Sequence, residues 1–505
     1  MLPAEGSRMG EDTSYSAPVL SGDPATFAEL FAAAAAAFPA QEAYVHREER
    51  IGYHDWYDQS LRLAAGLQEC GVTAGDIVLI SLEPSIDFAV CFAAAQLIGA
   101  IASGVNPRLG RREVAGIVAL TAAPVMIVED GAEEPVGGPA IIRRAGLAAL
   151  RQGAVKAVPH RGKASDLAVI IWTSGTTGQP KGACFAHENL KTAIRTAGPL
   201  AAPFARKLSS VPFAHAGYMA KGWEQVGFGM TLVITETPWS AGQTLRLLVE
   251  ERISIAGAVP TQWAKLLELP ELGTADLSHI AVGVSATAPA PPELIEQVTQ
   301  AIGAPLIVRY SMTECPSMTG TRIGDSAEIQ YRTVGQPQPG VEIELRDADQ
   351  TGVGRIAVRS AGAMQGYWRD PERTAEALDE GGWLLSSDLG RFDPEGNLVL
   401  AGRTSEMYIR GGYNVYPIEI ERVMSELPTV AAVAVIGVPA PVIGEIGVAF
   451  VVPADPAAPP TLDELRGHVR GELADYKVPD RLMLLAVLPL TAMMKVDKAA
   501  LRALV

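Results

Sequence analysis

The chain has 505 residues, of which 48% are hydrophobic and 19% charged, a composition typical of large globular proteins and not of disordered chains. Lys and Arg number 41 against 57 Asp and Glu, and the net charge of −16 argues against broad binding to nucleic-acid phosphates. The four cysteines lie far apart without a CxxC pair, which argues against a disulfide framework or a zinc site and favours a cytoplasmic location.

The first third of the chain has the pattern of an α/β protein. Residues 1–20 carry charges and no apolar run, so we expect a flexible tail and no signal peptide. The alanine-rich Phe27–Phe38 predicts a helix. The uncharged Phe88–Pro107 is long enough to suggest a membrane span, but a buried helix followed by a strand explains it better. Short β-branched runs predict strands at Ile77–Ile80, Val125–Val128 and Val169–Ile171.

The segment Thr173–Gly182, TSGTTGQPKG, directly follows the apolar run LAVIIW. Its glycines allow backbone N–H groups to face an anion, its hydroxyls add donors, and Lys181 supplies a positive charge. The Gly-Lys-Ser/Thr order of a Walker A loop is absent. We interpret the segment as a phosphate-binding loop; the alternative is a flexible surface loop with a chance lysine.

A small, self-contained unit is predicted near the C-terminus. Its expected elements are a helix from Pro417, strands at Ala431–Val438 and Val448–Val452, a helix from Leu462 and a strand at Leu482–Val487. We therefore divide the chain into a tail (1–20), a large N-terminal domain (21–404) and a small C-terminal domain (405–505).

Further short motifs follow the phosphate loop along the chain. They are PFAH (Pro212–His215), TAP (Thr287–Pro289), YSMTE (Tyr310–Glu314), SD (Ser387–Asp388), GRTSEM (Gly402–Met407), GGYNVYPIEIE (Gly411–Glu421), LADYKVP (Leu473–Pro479) and PLTAMMKVDK (Pro489–Lys498). Together they resemble the adenylate-forming superfamily of acyl-CoA synthetases, peptide-synthetase adenylation domains and firefly luciferase. The resemblance implies an α/β fold: a large domain of stacked mixed β-sheets with helices, a small barrel-like subdomain and a mobile α+β C-terminal domain.

The resemblance also implies a reaction. A carboxylate would attack the α-phosphorus of ATP and release pyrophosphate, and a thiol would then displace AMP. The implied cofactors are ATP (or acyl-AMP), Mg²⁺ and coenzyme A. Thr176 and Glu314 would serve Mg²⁺, Tyr310 would stack on adenine, and Asp388 would accept the ribose hydroxyls. The implied nucleotide-binding residues are Thr173, Ser174, Gly175, Thr176, Thr177, Gly178, Lys181, Thr287, Ala288, Pro289, Tyr310, Ser311, Thr313, Glu314, Asp388 and Arg403.

Lys495 is the implied catalytic residue of adenylation, because an ammonium can bridge carboxylate and α-phosphate as negative charge builds up in the transition state. His215 is the second catalytic candidate, against the alternative of a buried histidine with one hydrogen-bond partner. His215, Tyr218 and Ala286 would line the acid pocket. For thioester formation the C-terminal domain would rotate about a hinge at Ser405, and CoA would meet Gly411, Gly412 and Tyr413; a tight turn before a helix is the alternative.

We expect an acid other than an amino acid. Relatives that activate amino acids carry an aspartate just after the aromatic residue of the Pro212 motif; without one, a substrate ammonium would be buried unpaired. The glycines and aromatic residues between Gly217 and Gly229, among them Trp223 and Phe228, indicate either a roomy apolar pocket or helix packing. The expected partners are a carboxylic acid, ATP or AMP and CoA, without nucleic acid or membrane; a homodimer stays open.

Several residues depart from the family pattern and bear on adenylation. Met494 replaces the glycine before the catalytic lysine, Ala286 and Thr287 replace a Gly-Gly pair, Ser311 replaces the glycine of YGMTE, and Ser405 replaces the usual Asp or Lys. The preferred hypothesis is an AMP-forming acid:CoA ligase for an apolar or bulky acid. One alternative is a thioesterification-only ligase that takes acyl-adenylate from a partner enzyme. The other is a nucleotide-binding regulatory protein on the same scaffold.

Overall fold

The computed structural model describes residues 23–134, 138–153, 155–173, 180–286, 290–411, 413–491 and 496–505. Strands and helices alternate along these residues, as the sequence predicts. The strands are β1 (Glu42–His46), β2 (Glu49–Gly52), β3 (Ile77–Ser81), β4 (Ile101–Gly104), β5 (Val125–Val128), β6 (Ala140–Arg143), β7 (Leu167–Thr173), β8 (Lys181–Ala186), β9 (Arg206–Ser209), β10 (Thr231–Ile234), β11 (Ile255–Ala258), β12 (Val282–Ala286), β13 (Leu306–Met312), β14 (Cys315–Gly320), β15 (Gln336–Pro337), β16 (Val341–Arg346), β17 (Gly354–Ser360), β18 (Gly366–Tyr367), β19 (Leu384–Phe392), β20 (Leu398–Arg403), β21 (Tyr408–Arg410), β22 (Tyr413–Val415), β23 (Val430–Ala440), β24 (Gly444–Pro453) and β25 (Arg481–Leu484).

The helices cover the faces of the sheets and connect successive strands. They are α1 (Phe27–Ala37), α2 (Tyr53–Glu69), α3 (Ile86–Leu97), α4 (Arg111–Thr121), α5 (Leu147–Arg151), α6 (His187–Lys191), α7 (Ala193–Thr196), α8 (Ala216–Met219), α9 (Gly222–Phe228), α10 (Ala241–Glu250), α11 (Pro260–Leu267), α12 (Pro292–Ile302), α13 (Ala327–Arg332), α14 (Pro371–Ala377), α15 (Pro417–Ser425), α16 (Leu462–Glu472) and α17 (Lys498–Arg502).

Two large mixed sheets form the N-terminal part. The first has the strand order β15-β14-β13-β12-β11-β9-β10-β1-β2, and its central strands from β13 to β1 run parallel. The second has the order β18-β8-β7-β4-β3-β5-β6, with parallel pairing from β7 to β6. Antiparallel strands at the edges complete both sheets. This arrangement confirms the predicted fold of stacked mixed sheets.

Helix α3 lies between the two large sheets. It contacts β1 of the first sheet and β3 and β4 of the second. Of its twelve residues, only Asp87 is not buried, so the uncharged run Phe88–Pro107 is a buried helix followed by β4, as predicted. Burial on all sides explains why the helix is apolar around its whole circumference. Over the described residues, no helix combines the length and the apolar character needed to cross a bilayer.

Two smaller sheets follow; the first is antiparallel, and the second is antiparallel except for the parallel pairing of β24 with β25. Strands β16, β17, β19 and β20 form a four-stranded sheet in that order. The C-terminal part builds the fourth sheet from β21 to β25, and helices α15 and α16 pack against its core with Val435 and Val451. The third sheet ends at Arg403 and the fourth begins at Tyr408; the predicted domain boundary after residue 404 stays a prediction.

The predicted C-terminal elements are confirmed with two differences. The last predicted strand ends at Leu484 instead of Val487. The predicted loop from Gly411 to Pro417 is largely a hairpin, in which Arg410 on β21 pairs with Tyr413 on β22. Gly411 lies at the turn with φ of +59°, a conformation that glycine adopts without steric strain.

Candidate active site

The sequence motifs follow the carboxyl ends of parallel strands. In the first sheet, β9 ends just before the PFAH segment, β12 ends at Ala286, and β13 carries the YSMTE motif. In the second sheet, β7 ends at Thr173, where the phosphate loop begins. Parallel strands of one sheet present their carboxyl ends at a common edge, which is where ligands bind in open α/β sheets.

A close approach of backbone joins these two edges. A Cβ at Gly104, the last residue of β4, would lie 2.7 Å from the Cα of Ala214 in the PFAH segment. A glycine is therefore needed for the second sheet to pack against the segment that precedes His215. The phosphate-loop sheet and the predicted acid segment thus share one edge of the molecule.

Asp388 is the centre of the predicted ribose site. Its Oδ2 accepts a hydrogen bond from the Tyr310 hydroxyl at 2.7 Å, and its Oδ1 accepts from the Arg403 Nε at 3.0 Å. Asp388 and Arg403 lie opposite each other on β19 and β20. Each carboxylate oxygen can accept a second hydrogen bond, so the group can still receive hydroxyl donors. The structure therefore brings together three residues that were selected from three separate motifs.

Burial determines the state of the Tyr310 phenol. The side chain is 8% exposed, and burial, reinforced by the negative charge of Asp388, raises the pKa of Tyr310 well above its ordinary value. The phenol therefore stays neutral and remains a donor to Asp388 at physiological pH. A neutral aromatic ring beside the predicted ribose-binding carboxylate has the chemistry that stacking on adenine requires.

Lys181 and Glu314 lie on either side of Tyr367. The Lys181 Nζ lies 5.2 Å from the centroid of the Tyr367 ring, and the Tyr367 hydroxyl donates to Glu314 Oε1 at 2.7 Å. Tyr367 belongs to the short strand β18, which pairs with β8 beside Lys181. Burial, reinforced by Glu314, raises the pKa of Tyr367, so its proton stays on the phenol oxygen. The cation of the phosphate loop and the carboxylate of the YSMTE motif are thus held close together.

The donor set around Glu314 fits magnesium. Glu314 is a buried carboxylate in the two-residue turn between β13 and β14. Magnesium in nucleotide enzymes is commonly held by one or two carboxylates together with substrate phosphates and water. Over the described residues, no group of three or more His, Cys, Asp or Glu side chains forms a preformed cage.

The acid-pocket candidates lie at the common edge of the sheets. His215 caps the short helix α8, where its Nδ1 accepts from the Gly217 N–H at 3.2 Å. Tyr218 is buried, stacks on Phe213 with ring centroids 3.7 Å apart, and bonds to the Tyr44 hydroxyl at 2.8 Å. Ala286 is half-buried at the end of β12. His215 is half-buried and therefore more exposed than Tyr218. The buried ring of Tyr218, stacked on Phe213, forms part of an aromatic wall behind His215.

The aromatic residues that follow Tyr218 belong to the core. Trp223 and Phe228 are each 1% exposed, and Trp223 packs against Phe27 with ring centroids 6.5 Å apart. This segment was interpreted either as an apolar pocket or as helix packing, and for Trp223 and Phe228 helix packing is correct.

The hinge candidate Ser405 is exposed in a turn between the third and fourth sheets. Glu406, the next residue, accepts a hydrogen bond from Lys498 at 2.8 Å, and Lys498 also pairs with Glu421 at 2.8 Å. Burial of Lys498 is outweighed by these two carboxylates, which raise the pKa of its ammonium. This ion pair thus connects Glu406, which directly follows the hinge candidate, to Lys498, which lies three residues after Lys495 in the chain.

The CoA candidates Gly411 and Tyr413 lie on the β21–β22 hairpin. Tyr413 is 58% exposed and stacks on Tyr476 at 4.6 Å between ring centroids. The exposed Tyr413 ring therefore lies on the hairpin that the resemblance assigns to CoA binding.

Several candidates lie outside the described residues. They are the tail 1–20, residues 174–179 of the phosphate loop with Ser174, Gly175, Thr176, Thr177 and Gly178, the Thr287–Pro289 motif, Gly412, and residues 492–495 with Met494 and Lys495. Ser311 is exposed, and Thr313 is half-buried beside Glu314.

Two residues at the site were not found from the sequence. Tyr367 has no local signal beyond the short string GYW, because its role depends on pairing with β8 and on contact with Glu314. Lys221 contacts Ser317 on β14. It is the lone lysine or arginine in Val211–Trp223, which also lacks acidic residues, and that isolation could have marked it.

Comparisons with known proteins agree with this geometry. The family model of AMP-binding enzymes matches residues 31–368, and the model of the C-terminal domain of AMP-binding enzymes matches residues 419–495. A relative from Mycobacterium tuberculosis, named as the CoA ligase of a 7a-methyl-1,5-dioxo-octahydro-1H-inden-4-yl propanoyl group, is 33% identical over 503 residues, covering 92% of this chain and 96% of its own. The feruloyl-CoA synthase of an Amycolatopsis species is 31% identical over 477 residues, covering 92% and 96%.

The fold is shared with solved structures. The crystal structure of ATP-bound MatB from Rhodopseudomonas palustris matches with a TM-score of 0.87 and 26% identity, covering 94% of this chain and 98% of its own. The chain belongs to the family of AMP-binding enzymes, and within it to the acyl-CoA ligases, which are acid-thiol ligases.

Proposed function

We propose that the chain converts a carboxylic acid other than an amino acid, ATP and coenzyme A into an acyl-CoA, AMP and pyrophosphate. The observation that carries the proposal is the hydrogen-bonded group of Tyr310, Asp388 and Arg403, which assembles a nucleoside-binding surface from separate motifs. The proximity of Lys181 and Glu314 on either side of Tyr367 supports a role for both charged groups in binding the phosphates.

In the first step a carboxylate oxygen attacks the α-phosphorus, and pyrophosphate leaves. Asp388 accepts the ribose hydroxyls, Tyr310 stacks on adenine, and the segment Thr173–Lys181 receives the outer phosphates through N–H groups, hydroxyls and one ammonium. Glu314 and Thr176 would hold Mg²⁺, which would supply charge neutralisation for the phosphates. Lys495 bridges the carboxylate and the α-phosphate where negative charge builds up.

In the second step the CoA sulfur attacks the acyl carbon, and AMP leaves with the former carboxylate oxygen. The C-terminal domain rotates about Ser405 between the steps, which removes the Lys495 segment and presents Gly411, Gly412 and Tyr413 to the pantetheine arm. A rotation of this kind lets one site carry out two reactions with different requirements.

The acid is apolar or bulky over most of its length. His215 and Ala286 lie at the common edge of the sheets, and the buried Tyr218 and Phe213 form an aromatic wall behind them. Among the described residues Phe213–Met219, no carboxylate is placed to pair with a substrate ammonium. Two relatives named for ring-bearing acyl groups support a bulky substrate.

The proposal is tested by acid-dependent pyrophosphate release with a panel of carboxylates, followed by mass spectrometry of the CoA products. We expect ring-bearing acids to release pyrophosphate and to yield acyl-CoA. Lys495→Ala should abolish pyrophosphate release yet still convert a synthetic acyl-adenylate and CoA into thioester. Equal loss of both steps in this variant would contradict the role of Lys495.

Two outcomes would replace the proposal. Thioester formation from a synthetic acyl-adenylate, without pyrophosphate release from any acid, would indicate a thioesterification-only ligase. Binding of AMP without either reaction would indicate a regulatory protein.

A further inference from the structure

A group of charged side chains lies beside the predicted acid pocket and takes no part in the mechanism above. Glu224 on α9 has a side chain that is only 2% exposed, and its carboxylate binds Lys207 at 2.6 Å and Lys221 at 3.6 Å. Arg309 on β13 acts electrostatically on the same carboxylate. We call Lys207, Lys221, Glu224 and Arg309 the cationic group.

The positive charges of this group exceed its negative charges by two. Lys207 already neutralises Glu224 at hydrogen-bond distance, and the described partners of Arg309 are the uncharged carbonyl oxygens of Thr196 and Ala197, at 3.3 and 2.9 Å. Lys221 donates to the neutral Ser317 hydroxyl at 2.9 Å. A surplus of positive charge in a partly buried site is costly unless an acceptor or an anion compensates it.

The chain makes room for this arrangement. A Cβ at Gly320 would lie 2.6 Å from Cδ of Arg309, and a Cβ at Gly198 would lie 3.2 Å from its Nη2. Glycines therefore lie against the Arg309 side chain at two points, in addition to the two carbonyl oxygens that accept its hydrogen bonds. Burial lowers the pKa of Arg309 to about 10, opposed by Glu224, so the guanidinium still carries its charge at pH 7.

Lys221 has the most exposed side chain of the three ion-paired members of the group, and it lies three residues after the acid segment Pro212–Tyr218. Its side chain remains 24% exposed, and its backbone N–H donates to Tyr218 O at 2.8 Å, directly behind the His215 helix. Its bond to Ser317 reaches the strand that follows Glu314. Lys221 therefore joins the chain just after the acid segment Pro212–Tyr218 to the strand just after the nucleotide motif Tyr310–Glu314.

We propose that Lys221 binds the far end of the acyl substrate. The preferred acid then carries a second oxygen acceptor, either a carboxylate or an oxo group, at the end remote from the carboxylate that is activated. Most of the acid still packs against the aromatic wall, and Arg309 adds positive potential without contacting the substrate. This inference rests on the proposed function and specifies its substrate class.

The test uses three acids of equal length: octanoic acid, its oxo derivative with the carbonyl next to the terminal methyl, and octanedioic acid. Pyrophosphate release gives kcat/KM for each acid with the full-length enzyme. We expect at least one oxygen-bearing acid to exceed octanoic acid by about tenfold or more, as a buried charge-assisted hydrogen bond provides. Preference for the dioic acid would identify an anion as the ligand, and preference for the oxo acid a carbonyl.

Lys221→Met should lower the ratio of kcat/KM between oxygen-bearing acid and octanoic acid by about 10- to 100-fold. Lys221→Arg, which keeps the cation, should retain most of the ratio. Lys265→Met is the matched control, because Lys265 is exposed and pairs with the exposed Glu268; it should leave all three values unchanged. Thermal unfolding and AMP binding of each variant show whether the fold is retained.

The inference is overturned if octanoic acid is the best substrate of the three, or if Lys221→Met lowers kcat/KM of all three acids equally, since Lys221 would then act at the reacting end or only on structure. Absence of pyrophosphate release with any acid in a wider panel would contradict the proposed function itself, and the inference would fail with it.

Discussion

His187 is a histidine that the fold holds in its neutral form. It begins α6, is 5% exposed, and its Nδ1 accepts a hydrogen bond from the Phe27 N–H at 3.3 Å. Burial lowers its pKa from 6.5 to about 4, against the opposing charges of Asp166 and Glu29. Protonation of Nδ1 would also remove the acceptor for Phe27. The neutral imidazole therefore joins α1 to α6.

This lowered pKa predicts a loss of stability in acid. Between about pH 6.5 and pH 4 the unfolded chain binds a proton at His187 that the folded chain does not, so stability falls as the pH falls through this window. At pH 5 the loss relative to pH 7 amounts to about 2 kcal/mol from this residue. Thermal unfolding at the two pH values measures it.

The control variant is His187→Gln, whose side-chain oxygen can still accept from Phe27 but does not titrate. We expect its unfolding temperature to fall less between pH 7 and pH 5 than that of the wild type. The same acid dependence in both proteins would show that His187 is not held neutral.

At the residue scale, the sequence predicted which residues belong to the candidate site better than it predicted the contacts between their side chains. Tyr310, Asp388 and Arg403 were each found from a motif, yet the motifs do not state that one carboxylate joins the other two side chains. Tyr367 and Lys221 were missed because their positions depend on strand pairing and on contacts between distant segments. Contacts of this kind are set by tertiary structure and have no local sequence pattern.

At the scale of elements, the C-terminal sheet is built around one tyrosine. Gly437 and Gly447 lie directly opposite each other on β23 and β24, and a Cβ on either would overlap the side chain of Tyr408. Tyr408 is 1% exposed and begins β21, just after the hinge candidate Ser405. The two glycines thus form a slot that fixes the first strand of the small domain.

Gly437→Ala should push Tyr408 out of this slot. Overpacking of a core contact costs about 1 to 3 kcal/mol, and here the neighbouring atoms include the Tyr408 Cβ, which cannot move without its backbone. We expect faster hydrogen exchange in β21, β23 and β24, measured by mass spectrometry, together with loss of both half-reactions.

Gly467→Ala provides the matched control in the same domain. Gly467 lies inside α16, and a Cβ there meets nothing within 4 Å, so the change should stabilise the helix by up to about 1 kcal/mol. Unchanged exchange in the Gly437 variant would contradict the role of the slot.

Elements with strong periodicity were predicted well. The strand at Val125–Val128 and the helix starts at Pro417 and Leu462 agree with the structure, because β-branched runs and N-terminal capping are local signals. The last strand is shorter than predicted. The hairpin of β21 and β22 was taken for a loop, since each strand has three residues and is formed by pairing rather than by propensity.

At the scale of the whole molecule, the net charge of −16 opposes the approach of ATP and CoA, which are themselves anions. We therefore expect binding to come from local groups, among them Lys181, Arg403 and Lys495. Screening limits the general repulsion to about 8 Å at physiological salt. The fold is compatible with binding by local groups, because the predicted anion-binding segments follow the carboxyl ends of its parallel strands.

In the proposed reaction the carboxylate is activated as an acyl-adenylate. A carboxylate oxygen that attacks the α-phosphorus becomes bonded to that phosphorus. When the thiol then displaces AMP from the acyl carbon, this oxygen leaves with AMP. An acid labelled with oxygen-18 in its carboxylate, incubated with the enzyme, ATP and CoA, should therefore give AMP that carries one labelled oxygen for each acyl-CoA formed. Acyl-CoA formed with unlabelled AMP, or with ADP and labelled phosphate, would contradict the account.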